Sequence, residues 1–568
     1  MKKIFFITAL IFSWAVVLIA QNDSLSQFQG KYHMLSPEEL ILKETYSNSK
    51  NFVSTPPPEG PVRSIAEYEP NQGVLVGRSQ FYSFGIPVDF IQMLSQDVKV
   101  YVLVSNQGWN QTVTSQIQSA GANMDNIEII NINIDSYWTR DYTPWYITYG
   151  TEPKIGAIDF PYNRPRPNDN NVPSQLAPYF NLELFGMNIE HTGGNYMCDG
   201  LGVAASTKLV PAENQNLSLA EIEQISYDYL GIENYMFIDD PLGEYIQHID
   251  CWGKFLAVDK VLIGKVPENH AQYDEYEAVA DYFANTNSSY GNKYKVYRSY
   301  SPTGEPYTNC LIMNDKVYVP FSSSNSEANI EVQNVFETAM PGYEIIGVPY
   351  SGWLTTDAMH CRTHEVPDLE MLYIGHIPYR NTVEIMDVYH FITEIIPYSG
   401  QEIIANSVKI HYKINGGEYQ SENLNFTSNY KWEVYLDNLN SGDIVEYYLS
   451  ASDASGRHET HPYIGAGDPH LFVIGENVSV NENIAESRYS IFPNPASERI
   501  TLITDLSETA EIQYFIIDIY GRKLKQTNLD AKTGWQGTSI DISDLPQGIY
   551  YLKIINNKEE ITKRFIVY

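Results

Sequence analysis

From about residue 45 to 375 the chain alternates between β-branched apolar runs and segments with helical spacing. Residues 98–104, 127–134 and 345–348 predict buried strands, whereas 218–229, 273–284 and 327–340 place their apolar side chains on one helical face. The run Pro56-Pro57-Pro58-Glu59-Gly60-Pro61 predicts an extended lead-in outside the core. This region therefore reads as α/β. From 376 to 477 the pattern becomes purely alternating, with short strands at 408–414, 430–436 and 444–451. Asn415-Gly416-Gly417 and Asn440-Ser441-Gly442 supply the turns between them, which predicts a β-sandwich, most simply an immunoglobulin-like one. Asp468-Pro469-His470 falls in its last turn. A polar linker without periodicity covers 478–486, and strands at 500–503, 512–519, 550–555 and 561–568 predict a second small β-sandwich over 487–568.

The amino terminus has a different character. Met1-Lys2-Lys3 precedes an uncharged, mostly apolar stretch, 4–20, that ends at Ala20. A basic start, a short apolar core and a small final residue are the parts of a secretory signal peptide. A retained anchor is the other reading, since 17 residues just reach the lower limit of roughly 17–25 needed to span a bilayer. Residues 21–44 would then be a pro or lead segment ahead of the α/β region.

The chain has 568 residues, enough for several domains at roughly 100–200 residues each. Its net charge of −34 opposes binding to nucleic acid, whose phosphates it repels, and suits cationic partners or simple solubility. There are four cysteines, Cys198, Cys251, Cys310 and Cys361, with no Cys-x-x-Cys pair to suggest a zinc site. If Cys361 stays a thiol, at most one disulfide can form.

Cys361 lies in Thr355-Thr356-Asp357-Ala358-Met359-His360-Cys361-Arg362-Thr363, shortly after an apolar run. Two polar signatures lie upstream, Trp138-Thr139-Arg140-Asp141 and His248-Ile249-Asp250, the second of which would put both side chains on one face of a strand. Each alone has an ordinary structural explanation. Together they form the inventory for opening a guanidinium. A thiolate attacks the central carbon, carboxylates hold the nitrogens in charge-assisted pairs, and a histidine protonates departing ammonia and then activates water. The two carboxylates would by themselves raise the thiol pKa, so a protonated His248 or the arriving cation has to offset them. Five polar positions, Asp141, Asn195, Asp250, Asn309 and Cys361, are spaced 54, 55, 59 and 52 residues apart. Such regularity suggests a repeated unit delivering one group per repeat, although the intervening sequence has no clear self-similarity.

In order and spacing, these segments resemble the Porphyromonas-type peptidylarginine deiminases of the guanidino-group-modifying superfamily, which also contains agmatine deiminases. The matching residues are Trp138-Thr139-Arg140-Asp141, His191-Thr192-Gly193-Gly194-Asn195-Tyr196-Met197, His248-Ile249-Asp250, Tyr307-Thr308-Asn309 and His360-Cys361-Arg362-Thr363. The resemblance implies a five-fold pseudosymmetric α/β propeller over 45–375, with Cys361 as nucleophile, His248 as acid/base and Asp141 with Asp250 as guanidinium clamp. Asn309 would support them. Trp138 and Tyr245 would line the substrate pocket, and no cofactor or catalytic metal is required. The last 80 or so residues resemble the C-terminal sorting domain of the type IX secretion pathway. Phe492-Pro493-Asn494-Pro495, Tyr520-Gly521-Arg522, Leu545-Pro546-Gln547-Gly548-Ile549-Tyr550 and Lys563-Arg564-Phe565-Ile566-Val567 carry that likeness. It implies the type IX machinery as partner, export, and release or attachment at the cell surface.

Asn163-Arg164-Pro165-Arg166-Pro167 is either an exposed basic turn or a carboxylate receptor. The family resemblance favours the second, with Arg164 and Arg166 binding the free carboxylate of a peptide that ends in arginine. Agmatine is the competing substrate. It has no carboxylate for those arginines, and its deiminases typically carry Glu-Gly-Gly where this chain has Thr192-Gly193-Gly194. A surface module that binds arginine peptides without turnover is the remaining reading, and it gives the thiol no purpose.

Overall fold

The computed structural model describes residue 33 and residues 35–45, 52–79, 84–243 and 245–475. Beyond these it describes 489–492, 496, 499–506, 510–518, 522–531, 534–546, 548–556 and 560–567. The expected signal peptide, most of the lead segment before His33, the linker, and Pro493-Asn494-Pro495, Tyr520-Gly521 and Gln547 of the sorting motifs lie outside the described residues. Contacts divide the chain into two units, Met1–Gly475 and Glu476–Tyr568.

The α/β part of the first unit repeats one plan across five small sheets among the described residues. An antiparallel pair of strands leads into a third, parallel strand that a helical connection delivers, as parallel pairing requires. The pair Trp145–Tyr149 and Lys154–Asp159 takes Glu183–Gly186, and Met197–Cys198 with Val203–Thr207 takes Asn234–Ile238. Gly253–Ala257 with Lys260–Lys265 takes Lys295–Tyr300, and Leu311–Met313 with Lys316–Phe321 takes Glu344–Pro349. The fifth sheet joins the two ends of the region. Thr363–Pro367 lies antiparallel to Asn71–Arg78, which runs parallel to Lys99–Val104, itself parallel to Ile127–Ile130.

The delivering helices match their sequence signals. Leu219–Leu230 starts with a capping box between Ser218 and Glu221 and stops at Gly231, whose φ of 67° is cheap only for glycine. Tyr273–Asn285 and Ser326–Ala339 bury Tyr276, Val279, Phe283, Val332 and Phe336 against the sheets. One strand is shorter than its apolar run predicts. Beyond Ile130 the side chains of Asn131 and Ser105 bond to the Val104 and Ile134 carbonyls, replacing the backbone ladder over 131–134.

Two further sheets share one core in the rest of the unit. Leu372–Gly375, Tyr389–Pro397, Lys431–Leu436 and Asn425–Ser428 form one. Asn381–Val383, His470–Ile474, Ile444–Ser452, Lys409–Ile414 and Gln420–Asn423 form the other, and Phe391, Val434, Tyr447 and Phe472 are buried between them. Hydrogen bonding thus assigns 372–375 to this β-rich part. Ion pairs join it to the α/β part: Lys260 with Asp468, Arg457 Nε with Asp368 Oδ2 at 2.6 Å, and Arg380 Nε with Asp259 Oδ2 at 3.4 Å. The second unit has two sheets of its own, closed over Ile500, Leu502, Ile512, Leu552 and Phe565.

Candidate active site

Each of the five regularly spaced residues stands just ahead of the first strand of one sheet. Asp141 precedes Trp145, Asn195 precedes Met197, Asp250 precedes Gly253, Asn309 precedes Leu311 and Cys361 precedes Thr363. All five are buried. The backbone N–H of Arg140 donates to the Cys361 carbonyl at 3.3 Å, and its guanidinium grips Glu365 at 3.1 and 2.5 Å. First and last repeats are thereby locked together. Asn195 braces the assembly, its Oδ1 accepting from the N–H groups of Thr207 at 2.9 Å and Ile249 at 3.2 Å.

The expected strand at His248-Ile249-Asp250 is absent. His248 caps a single 3-10 turn, Ile249–Cys251, and the strand begins only at Gly253. Gln247, at a φ of +49°, breaks the extended path immediately before it. The alternation argument therefore fails here. The two side chains still reach one site, through a turn.

The Cys361 thiol lies 3.5 Å from Asp250 Oδ2 and receives the Asn309 Nδ2–H at 3.2 Å, while Asn309 Oδ1 accepts from the Cys361 backbone N–H at 3.2 Å. Behind Asp250 runs a buried relay. His360 Nδ1 meets Asp250 Oδ2 at 2.8 Å, and His360 Nε2 meets Glu67 Oε2 at 2.9 Å. Glu67 in turn accepts from Lys254 Nζ at 2.7 Å and from the Ile312 N–H at 2.9 Å. Burial raises the Asp250 pKa, but the hydrogen bond and charge of His360 outweigh it and leave the group below its ordinary value. Glu67 is held well below its ordinary value because Lys254 and His360 outweigh burial. Sequence reading missed this relay. His360 stood out only as the neighbour of the thiol, and Glu67, 293 residues away, carries no local signal.

His248 is fully buried with Nδ1 3.7 Å from Asp141 Oδ1. Neither ring nitrogen has a hydrogen-bond partner among the described residues. Burial, aided by the neighbouring His33, pushes its pKa down to about 3 against the pull of Asp141, so the ring is neutral. Gly194 shapes the same space. A Cβ there would stand 2.7 Å from His248 Nδ1, 2.9 Å from Asp141 Oδ1 and 3.3 Å from Asp250 Oδ2.

The arginine loop is not an exposed turn. Arg164 and Arg166 are 3% and 6% exposed. Arg166 donates from Nε and Nη2 to both carboxylate oxygens of Glu39, at 2.7 and 3.3 Å, and its guanidinium carbon lies 4.9 Å from the Trp138 ring. Arg164 lies 5.7 Å from the Tyr245 ring, which is itself 40% exposed. Trp138 is buried, donates from Nε1 to Asp357 Oδ1 at 2.9 Å and stacks on His33 at 4.6 Å. Sequence reading assigned nothing to His33. Its Nε2 bonds Asp141 Oδ2, and it lies within 4.8 Å of the ligand atoms of His248 and of Cys361. Burial opposes its protonation, yet Asp141 and Cys361 together push its pKa up to about 10.

All four cysteines are unpaired and buried. Cys251 Sγ faces Asp250 Oδ1 at 3.6 Å, and contact with Cys361 together with burial pushes its thiol well up. The side-chain sets with metal-ligand spacing among the described residues are His33-Asp357-Cys361, His33-Asp141-His248 and Asp250-Cys251-Cys361. Each includes at least one of Cys361, His248, Asp141 and Asp250, the residues expected from sequence to carry the guanidinium chemistry.

Residues 86–367 match the Porphyromonas-type peptidyl-arginine deiminase family. Residues 490–568 match the secretion system C-terminal sorting domain, and 396–460 match carbohydrate binding module family 56. Among curated relatives, a protein of Yersinia pseudotuberculosis assigned as an agmatine deiminase is 25% identical over 287 residues, covering 43% of this chain and 77% of its own. A Legionella pneumophila protein with the same assignment is 28% identical over 268 residues, covering 43% and 75%. Among solved structures, the agmatine deiminase of Enterococcus faecalis is similar at 19% identity, covering 56% of this chain and 97% of its own, with a TM-score of 0.48. Residues 86–367 are thus a deiminase region of the Porphyromonas-type peptidyl-arginine deiminase family, and the protein is an enzyme acting on guanidino groups.

Proposed function

We propose that this deiminase acts preferentially on arginine at the free C-terminus of peptides, releasing ammonia and leaving citrulline. Asp141 and Asp250 clamp the guanidinium nitrogens. Cys361 passes its proton to His248, and the resulting thiolate forms a bond to the central carbon while Asn309 holds the sulfur. The imidazolium, steadied by Asp141, gives that proton to the departing nitrogen as its bond to carbon breaks. Water then adds with His248 as base, the carbon–sulfur bond breaks, and the ureido group of citrulline remains. Trp138 supplies a flat wall, with Tyr245 near the rim beside Arg164.

The observation that carries the C-terminal preference is the Glu39 carboxylate bound by both oxygens on Arg166, while Asp141 holds the planar ring of His33. Cation at one end and carboxylate at the other is the charge pattern of a terminal arginine. Agmatine offers only the first. In the same reading, the five sheets surround one pseudo-five-fold axis with the five polar residues at its mouth. The repeated strand order and near-equal spacing support this arrangement. The β-rich segment after it would be immunoglobulin-like, with working domain limits of 45–375, 376–477 and 487–568, except that strand 372–375 goes with the β-rich segment it pairs with.

The sorting domain indicates a secreted or cell-surface protein of a bacterium and implies the type IX machinery. Arginine-bearing peptides and proteins outside the cell are then its substrates, and removal of the sorting domain accompanies release or surface attachment. The test compares peptides with free C-terminal, amidated C-terminal and internal arginine, together with free arginine and agmatine. The free C-terminal peptide should have the highest kcat/KM. Equal rates for free and amidated peptides would remove the carboxylate receptor, and agmatine as best substrate would replace the proposal.

A further inference from the structure

We infer that His33 and residues 35–43 are a built-in ligand of the active site, an inhibitory segment that occupies the place of substrate. The inference rests on the deiminase reading above and adds the regulation of that site.

Three anchors hold the segment. His33, 1% exposed, bonds Asp141, stacks on Trp138 at 4.6 Å and meets His248 edge-on at 5.3 Å. Six residues on, Glu39 occupies Arg166 with both oxygens. Lys43 then pairs with Glu213 at 2.6 Å. The short helix Pro37–Thr45 joins the last two anchors, opened by reciprocal Ser36 and Glu39 bonds at 2.7 and 3.1 Å. One arm thus fills both ends of the proposed substrate site, with a planar nitrogen cation at the carboxylate clamp and a carboxylate at the arginine receptor.

The chemistry explains why such an occupant would not be consumed. A protonated imidazole presents a carbon flanked by two nitrogens, like the edge of a guanidinium. Both nitrogens are closed into the ring, however, so neither can leave as ammonia, and adding sulfur to the carbon would cost aromaticity. His33 therefore satisfies Asp141 without entering the reaction. A segment covering a fully buried Cys361 would also keep the thiol from external reagents. Val53, Ser54, Pro56, Pro57 and Glu59 to Pro61 are exposed and lie outside helices and strands. A single cut there would free the arm while leaving every strand of the α/β part intact.

The experiment uses the full chain as wild type, His33→Ala and Glu39→Gln, with two readouts. One is the rate at which iodoacetamide alkylates Cys361, followed by mass spectrometry with Cys198 and Cys310 as internal references. The other is citrulline release from a peptide ending in arginine. Alkylation in His33→Ala should exceed wild type by about tenfold or more, as loss of a charge-assisted bond predicts, with Glu39→Gln intermediate. A synthetic peptide of residues 33–45 should slow His33→Ala again, and the same peptide with alanine at the first position should not. Equal alkylation of Cys361 in wild type and His33→Ala would overturn the inference even if citrulline is made. Faster alkylation without citrulline from any chain would leave the arm standing and sink the deiminase reading instead.

Discussion

Adding one methyl group at Gly194 separates the catalytic argument from the folding argument. The backbone there is outside the left-handed region, so alanine brings no conformational strain. Its Cβ would however stand 2.7 Å from His248 Nδ1 and 2.9 Å from Asp141 Oδ1, where real contacts begin near 3.4 Å. Both groups must retreat by several tenths of an ångström, and the methyl then sits in the space between the proposed acid/base, His248, and the proposed clamp, Asp141. Misplacement of reacting groups by about 1 Å costs on the order of 100-fold. Gly194→Ala should therefore lower kcat/KM for a C-terminal arginine peptide by roughly 10- to 100-fold, with a melting midpoint within a few degrees of wild type. Gly193→Ala is the contrast. Its Cβ would lie 2.0 Å from the backbone oxygen of Arg140, which no side-chain motion can relieve. That variant should lose stability first, by about 1–3 kcal/mol or more. A colorimetric citrulline assay and a thermal melt on the same preparations decide the matter. Gly194→Ala with kcat/KM within threefold of wild type would refute the placement of catalysis between His248 and Asp141.

Other outcomes follow from the same geometry. His360→Ala removes a 2.8 Å charge-assisted bond to Asp250, so kcat/KM should fall about tenfold or more in the citrulline assay, while Cys361→Ala should abolish turnover with the fold retained. Arg166→Ala should narrow the preference for free over amidated C-terminal arginine, measured as the ratio of their kcat/KM values. The arm should respond to pH. His33 faces Asp141, His248, Cys361 and Asp357, and its pKa is raised from 6.5 to about 10 when docked. Its contribution to docking is thus complete below about pH 6.5 and is lost as pH rises through 10. The ratio of Cys361 alkylation rates, His33→Ala over wild type, should accordingly be largest below about pH 6.5 and fall towards one as pH rises through that window.

The sequence made the repeat and the reactive inventory legible, for different reasons. Helices such as Leu219–Leu230 announce themselves through local caps and apolar spacing. The spacing of Asp141, Asn195, Asp250, Asn309 and Cys361 is regular because each closes the loop ahead of a first strand, so one geometric role recurs at one interval. Local patterning misled at His248, where a single left-handed residue converts an apparent strand into a turn. It was silent about Glu67, Lys254 and His33. Those three act through contacts with residues remote in sequence, and nothing in their own neighbourhoods distinguishes them from solvated charges.

The same division explains why the arginine loop could be read two ways before its surroundings were known. Two cations between prolines have no preferred fate, and burial is affordable only where opposite charge is waiting. Here Arg166 finds Glu39 and the Trp138 face, and Glu39 is held below its ordinary pKa by Arg166 against the effect of burial. If the arm leaves, Arg166 loses that carboxylate. The proposed site would then present an acid clamp short of its cation and an arginine short of its anion, a combination that a peptide ending in arginine would complete with one residue. Docked arm and terminal arginine would therefore be alternatives for the same unsatisfied charges, and each should weaken the other in a competition measurement.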